Sequence, residues 1–408
     1  MIEYTNGMTW SEKCSNLDIH KRIGRCCHDG FHNSYKEERT MKKRVLAVLL
    51  SAAMVASLAV GCGLSSKSDE KSETKTETAK DTKEETKDVE AVEQRTVYVT
   101  PEWLKSAMDG NQKGYENVVV AEVAYSDNAK DCESYQKGHI PGAIYVGDVE
   151  VEDATGSEEG AYNLLSADEI EKNLLSHGIT KDTKVVLYGG DISGTARVAY
   201  AYIWAGVEDV KIVNGGIDAW EKAGYEIETK ANEGTEAKDF GTTVPAHPEY
   251  WTSIEDAKDK LANDDNFKLV SIRSEEEWLG KTSGYNYMDK AGEPDGAVWG
   301  KGAKTAADVA DFTNDDGTVK DLDGLKEVWK DCDFTLDNHL AFYCGTGWRA
   351  TVPFLVLYEN GYDNISVYDG GWYEWLMHDD YPVQVGDPAS ADCVHTTVGE
   401  LPTGKAAK

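Results

Sequence analysis

From residue 97 onward the chain alternates two kinds of stretch. "NVVVAEV" and "KVVLYGG" are short apolar runs rich in β-branched residues, the pattern of strands buried on both faces. "SADEIEKNLLSHG" instead returns its apolar side chains every three or four positions. Ser166 and Glu169 are spaced as a capping box and Gly178 lies just past the last turn, so this stretch predicts a helix. The alternation then recurs, with "NFKLVSIR" and "HLAFYCG" as strands and "TSIEDAKDKLA" and "LDGLKEVWKD" as helices. Strands alternating with helices predict an α/β fold of mainly parallel sheets flanked by helices.

The recurrence is a duplication. Tyr188 and Tyr343, and Trp220 and Trp375, are each 155 residues apart, and in that register "VKIVNGGIDAWEKAGY" lies over "ISVYDGGWYEWLMHDD" without a gap. Gly215 and Gly216 then face Gly370 and Gly371, Gly189 faces Cys344, and Gly194 faces Arg349. The first copy keeps the loop and lacks its cysteine. Composition places the first domain at 97–228, a polar linker with Gly and Pro at 229–247, the second domain at 248–386 and a polar tail at 387–408.

Upstream the character changes. In "MKKRVLAVLLSAAMVASLAVGCG", residues 41–63, basic residues precede an apolar run over 45–60, and small residues precede Cys62. This is the pattern of a secretory signal, and the run is shorter than the roughly 20 residues a spanning helix needs. It also resembles a bacterial lipoprotein signal over 41–61, which implies cleavage before Cys62, lipidation of that cysteine and a lipid anchor on the extracytoplasmic face of the membrane. An uncleaved anchor is the alternative. Residues 62–96 mix both charges with Ser and Thr and read as a disordered tether. Residues 1–40 are polar and unpatterned ahead of Met41 and read as a non-native extension; their Cys14, Cys26 and Cys27 with His20, His28 and His32 lack paired half-sites, so no metal is expected.

The chain has 408 residues, more than one hydrophobic core usually organises, and a formal charge of -32. Such acidity argues against a nucleic-acid partner, while leaving room for a small anion in a local basic pocket. The chemistry concentrates in "LAFYCGTGWRATVPFLVLYENGY", where an apolar strand ends in a cysteine, two glycines and an arginine before a helical pattern resumes. Amide N–H groups and a helix dipole converge at such a place and favour a thiolate. Gly345 and Gly347 let the backbone bend around the sulfur. Arg349 is positioned to meet a donor anion or to brace the loop, and Trp348 to wall the pocket or stack on an acceptor. Cys132 and Cys332 read as buried small hydrophobes, and Cys393 as free or disulfide-bonded. His139, Trp220, Trp372 and Trp375 read as structural.

Five motifs, in order along residues 97–385, resemble a tandem-domain rhodanese, a sulfurtransferase: "YQKGHIPGAIYV", its degenerate copy "GEPDGAVWG", "DGTVKDLDGLKEVW", the active loop "YCGTGWRAT" and "VYDGGWYEW". The resemblance implies two rhodanese-like domains, an inactive first and a catalytic second. It makes Cys344 the nucleophile that carries sulfane sulfur as a persulfide. Gly345, Thr346, Gly347, Trp348 and Arg349 become its active loop, and Arg273, with Arg349, a residue that binds the donor's anionic end. It implies no cofactor. The partners it implies are thiosulfate or a related small-molecule donor and a thiol or cyanide acceptor, with a protein acceptor open. Ser271 stands where the family has an aspartate. Asn163 fills the slot of the histidine used by the mercaptopyruvate branch, which favours thiosulfate. Two other readings compete. A cysteine phosphatase of related fold has five residues between cysteine and arginine, against four between Cys344 and Arg349. A non-catalytic binding or sensing module would not need the intact loop.

Overall fold

Two five-stranded sheets carry residues 95–153, 156 and 161–408, which the computed structural model describes. The expected extension, signal, Cys62 and nearly all of the tether lie outside the described residues. The first domain runs β1 (Tyr98–Val99), α1 (Pro101–Met108), β2 (Val119–Ala124), α2 (Glu133–Lys137), β3 (Ile144–Gly147), α3 (Ala167–Ser176), β4 (Lys184–Gly189), α4 (Ile192–Ala205), β5 (Asp209–Val213) and α5 (Gly216–Lys222). The second begins with β6 (Trp251–Thr252), α6 (Ile254–Asn263), β7 (Phe267–Ser271), α7 (Glu275–Trp278), β8 (Glu293–Pro294) and β9 (Val298–Trp299). It continues through α8 (Leu322–Trp329), β10 (His339–Tyr343), α9 (Thr351–Glu359), β11 (Ile365–Tyr368), α10 (Gly371–Trp375), β12 (Pro382–Val385) and β13 (Val394–Thr397).

The sheets repeat the same order. The first is β1-β5-β4-β2-β3 and the second β6-β11-β10-β7-β9, with every pairing parallel. Central β4 and β10 are related by the register read from the sequence, so Cys344 leaves the carboxyl end of the middle strand of its sheet. Open parallel sheets bind ligands outside the carboxyl ends of their strands. Several helices start where a side chain satisfies a free N–H group: Thr100 ahead of Pro101 in α1, Ser166 with Glu169 in α3, and Asp321 in α8. Helix α4 is buried at every residue from Ser193 to Ala205, because it packs against the first sheet and against α9 of the second domain. Tyr200 meets Phe354 edge-on at 5.1 Å, and one cluster of buried side chains continues from domain to domain.

The polar linker and the polar tail are both built into the fold. In the linker, Phe240 is buried and the Ala246 N–H donates to the Ala205 carbonyl at 3.2 Å. The Lys230 carbonyl meets His139 Nε2 at 3.0 Å. Few but well-placed apolar residues fasten this stretch to the first domain. In the tail, β13 pairs antiparallel with β12, β12 pairs with β8, and the Ala407 N–H donates to the Tyr285 carbonyl at 3.0 Å.

Phe240→Ala therefore leaves a cavity against the first domain and is expected to cost about 3 kcal/mol. Urea unfolding checks this; a loss below ~0.5 kcal/mol, the usual size of a surface change, would show that the linker does not depend on that anchor.

Candidate active site

The thiol of Cys344 is buried, and the backbone that follows it is clamped from one side by α10. The Trp372 N–H donates to the Cys344 carbonyl at 2.9 Å, and the Tyr373 N–H to the Gly345 carbonyl at 3.0 Å. This close approach explains the glycine that opens α10. Gly371 has φ +56°, and a Cβ there would lie 2.6 Å from the Cys344 carbonyl oxygen. Gly347 has φ +83°, the left-handed conformation in which glycine carries no steric penalty. Tyr285 lies over the loop so closely that a Cβ on Gly345 would run into its ring.

Arg349 closes the loop and is buried. Its NH1 and NH2 donate to the two carboxylate oxygens of Glu277 at 3.0 and 2.9 Å, with further bonds to the Thr305 carbonyl at 3.2 Å and the Tyr285 hydroxyl at 3.1 Å. Its Nε has no protein partner. Arg273 shares the same carboxylate: its Nε donates to Glu277 at 3.2 Å, NH1 to Glu293 at 2.9 Å and the Gly292 carbonyl at 2.8 Å, and NH2 to the Ser283 carbonyl at 2.9 Å. It is fully buried over the Trp372 ring. Arg273, expected at the donor's anionic end, thus has its guanidinium turned into the protein. Ser271, in the aspartate slot, bonds Glu293 at 3.3 Å, and Glu293 replaces the missing carboxylate beside Arg273. Arg349 does not face an open cradle of the kind the phosphatase reading needs.

Trp348 is held by the first domain. Its ring stacks on Tyr125 at 5.1 Å and its Nε1–H donates to Glu152 at 2.5 Å. Thr346 is buried within the loop. Asn163 reaches across the interface, its Nδ2 donating to Glu374 of α10 at 3.0 Å. His139, Trp220, Trp372 and Trp375 are buried among structural partners. The four described cysteines are free. Among the described residues no group of His, Cys, Asp or Glu could hold a metal ion.

Sequence reasoning missed Glu277, Glu293, Tyr285, Glu152, Arg197 and Asp369. Glu277 alone had a signal, four residues after Arg273 and three after the capping serine.

The buried carboxyls titrate in opposite directions. Burial, only partly offset by Arg273 and the Tyr343 hydroxyl, pushes Glu293 up to about 7. Burial also works against ionised Glu277, but Arg349 and Arg273 outweigh it and hold this carboxyl at about 2. An unfolded glutamate titrates near ~4.3. Between that value and 7 the folded chain holds the extra proton on Glu293, so stability is lost as pH rises through the window. Below ~4.3 the unfolded chain holds the extra proton at Glu277, so stability is lost as pH falls towards 2. The urea midpoint is expected to fall on both sides of about pH 5, and Glu293→Gln to flatten the limb between pH ~5 and ~7 while keeping the acid limb. The flattening is partial, because burial also pushes Glu152 up, to about 8. An upper limb equally steep in the variant would contradict this assignment.

A family model described as "Rhodanese-like domain" matches residues 100–223 and again 253–378. The chain is 38% identical over 293 residues to the thiosulfate sulfurtransferase YnjE of Escherichia coli, covering 71% of this chain and 65% of that protein. A putative thiosulfate sulfurtransferase of Haloferax volcanii is 31% identical over 300 residues, which are 72% of this chain and 98% of the relative. Among solved structures, YnjE superposes with TM-score 0.66 at 37% identity, covering 71% of this chain and 68% of that one. EanB, solved with a persulfide on a cysteine and with ergothioneine, superposes with TM-score 0.66 at 32% identity over 72% of this chain and 71% of that one. Both sheets, both loops and both family matches agree: the chain belongs to the rhodanese family as a tandem-domain member of the sulfurtransferase type.

Proposed function

We propose that the protein moves sulfane sulfur from thiosulfate or a related donor to a thiophilic acceptor through a persulfide on Cys344. The observation that carries this reading is the position of Cys344, at the carboxyl end of the central strand in a glycine-containing loop whose carbonyls are held away by α10. The Cys344 thiolate attacks the outer sulfur of thiosulfate. A new S–S bond forms as the old one breaks, and sulfite leaves with the electron pair. A cyanide carbon or a thiolate then attacks the terminal sulfur, takes it, and returns Cys344 as thiolate. Arg349 braces the loop through Glu277, and its uncommitted Nε–H is the contact it has left for an anion. Arg273 braces the same carboxylate from below.

A second reading concerns the acceptor. In the EanB structures a substituted tyrosine stands 59 positions ahead of the persulfide-bearing cysteine, as Tyr285 stands ahead of Cys344, and a substituted threonine stands two positions after it, as Thr346 does here. Trimethyl histidine is the natural substrate in the complex from Chlorobium limicola. Here the rings of Tyr162, Tyr285, Tyr287 and Tyr373 cluster beside the loop with centroids 5.2 to 5.9 Å apart. Aromatic faces attract cations, and both neighbouring arginines are engaged by the Glu277 and Glu293 carboxyl groups, so a trimethylammonium-bearing imidazole suits this wall.

Mass spectrometry after thiosulfate treatment should show one added sulfur on the wild-type chain and none on Cys344→Ser; equal masses reject the proposal. Discharge of the persulfide by cyanide, a small thiol or trimethyl histidine then selects the acceptor, and no discharge by trimethyl histidine removes the second reading.

We also propose an extracytoplasmic, lipid-anchored location through Cys62, supported by the order of basic residues, apolar run, small residues and cysteine. Two acyl chains are needed for stable anchoring. Cys62→Ala is expected to abolish lipid labelling and release the protein from membranes; labelling that survives the substitution rejects the anchor and leaves the sulfur chemistry untouched.

A further inference from the structure

The first domain has Gly189 where the second has Cys344, yet it inserts two buried side chains beneath the active loop. Glu152, just beyond β3, and Arg197, on α4, are both almost fully buried. Arg197 Nε donates to Glu152 Oε2 at 3.3 Å, the oxygen that also accepts the Trp348 indole proton. Its NH1 pairs with the Asp369 carboxylate of the second domain, and its NH2 donates to the Tyr162 carbonyl at 3.1 Å. Asp369 in turn accepts from the Leu164 N–H at 2.6 Å, returning the chain of contacts to the first domain. The loop lies directly on this assembly. A Cβ on Gly347 would come within 2.6 Å of the Asp369 carbonyl oxygen and 3.0 Å of Arg197 NH1.

We infer that Glu152 and Arg197 are positioning residues of the second domain's sulfur chemistry: through Trp348 and Asp369 they fix the loop that carries Cys344. The inference rests on the sulfurtransferase reading and assigns the first domain a role within it. Geometry decides what the contacts can do. The Trp348 side chain has its face on Tyr125 and its only polar atom on Glu152, so a first-domain carboxyl oxygen sets the rotation of an indole four residues beyond the nucleophile. Arg197 holds that carboxyl group in place and, through Asp369, the segment that leads into α10, whose amides clamp the Cys344 and Gly345 carbonyls. A loop released from these contacts no longer holds the Cys344 sulfur at the geometry of attack, and misplacement by about 1 Å can cost on the order of a hundredfold in rate.

The test is a double-variant cycle on the full chain. The rate of persulfide formation on Cys344 is followed by mass spectrometry in a single turnover at saturating thiosulfate and normalised to folded protein. Glu152→Ala and Trp348→Phe are each expected to slow the step at least roughly tenfold with little change in the thiosulfate concentration giving half the maximal rate, and the double variant to be no slower than the slower single one. Glu152→Gln, which keeps an oxygen for the indole, is expected to restore most of the rate. A Glu152→Ala rate within about twofold of wild type, or losses that multiply in the double variant, overturns the inference. If Glu152→Ala does not fold, Trp348→Phe leaves the buried ion pair intact and must show the loss alone; a wild-type rate there overturns the inference equally. A second readout does not depend on turnover. The Trp348 indole proton, assigned by its absence from the spectrum of Trp348→Phe, is expected to resist exchange with solvent in the wild type and to lose that protection in Glu152→Gly or Glu152→Ala. Fast exchange in the wild type overturns the brace. Failure of the wild type to form a persulfide, with the indole protected, counts against the sulfurtransferase reading alone.

Discussion

One carboxylate holds the second domain's chemistry together. Glu277 receives both arms of Arg349 and the Nε of Arg273, and its second role is local: the Ser274 N–H and hydroxyl donate to it at 2.9 and 2.8 Å, closing the capping box of α7. All three charged groups are buried, so each would be costly alone. Removing one member of such a set costs about 3–5 kcal/mol, because the others remain buried without their partner. The active loop therefore inherits its rigidity from a helix start only four residues long. Its amino end is fixed by β10 and its carboxyl end by Arg349 on Glu277, while α10 fixes the carbonyls between.

That arrangement separates what the sequence made legible from what it did not. The parallel sheets were readable because their strands are continuous apolar runs, and the duplication because Tyr188 and Trp220 recur at a constant distance. The loop was readable because Cys344, its glycines and Arg349 are contiguous. Glu277 and Glu293 were not, since "SEEEW" and "GEPDG" have the composition of surface segments. Their burial depends on a partner 72 residues further along for Glu277 and on Arg273, Ser271 and Tyr343 for Glu293. The strand-end position of Arg273 was readable but its partners Glu277 and Glu293 were not, because spacing along a strand gives the face of a side chain and not the partner that captures it. The linker misled for a similar reason: average polarity hides one Phe240 that finds a pocket.

The first copy shows how the fold fills the same places without a cysteine or an arginine. Gly189 occupies the place of Cys344, and a Cβ there would lie 2.6 Å from both Thr195 Oγ1 and the Val123 carbonyl, so there is no space for a side chain. Gly194 occupies the place of Arg349, and there the ring of Tyr125 lies against the backbone. The Tyr125 hydroxyl bonds Asp191, the residue that caps α4. The opposite side of this picture is Trp348, which stacks on that same ring. Absence of an arginine side chain in the first copy is thus the steric condition for the aromatic surface on which the active loop of the second copy rests. The two loops are not equivalent: Gly194 leaves room for Tyr125, and Tyr125 is the ring on which Trp348 of the second loop stacks.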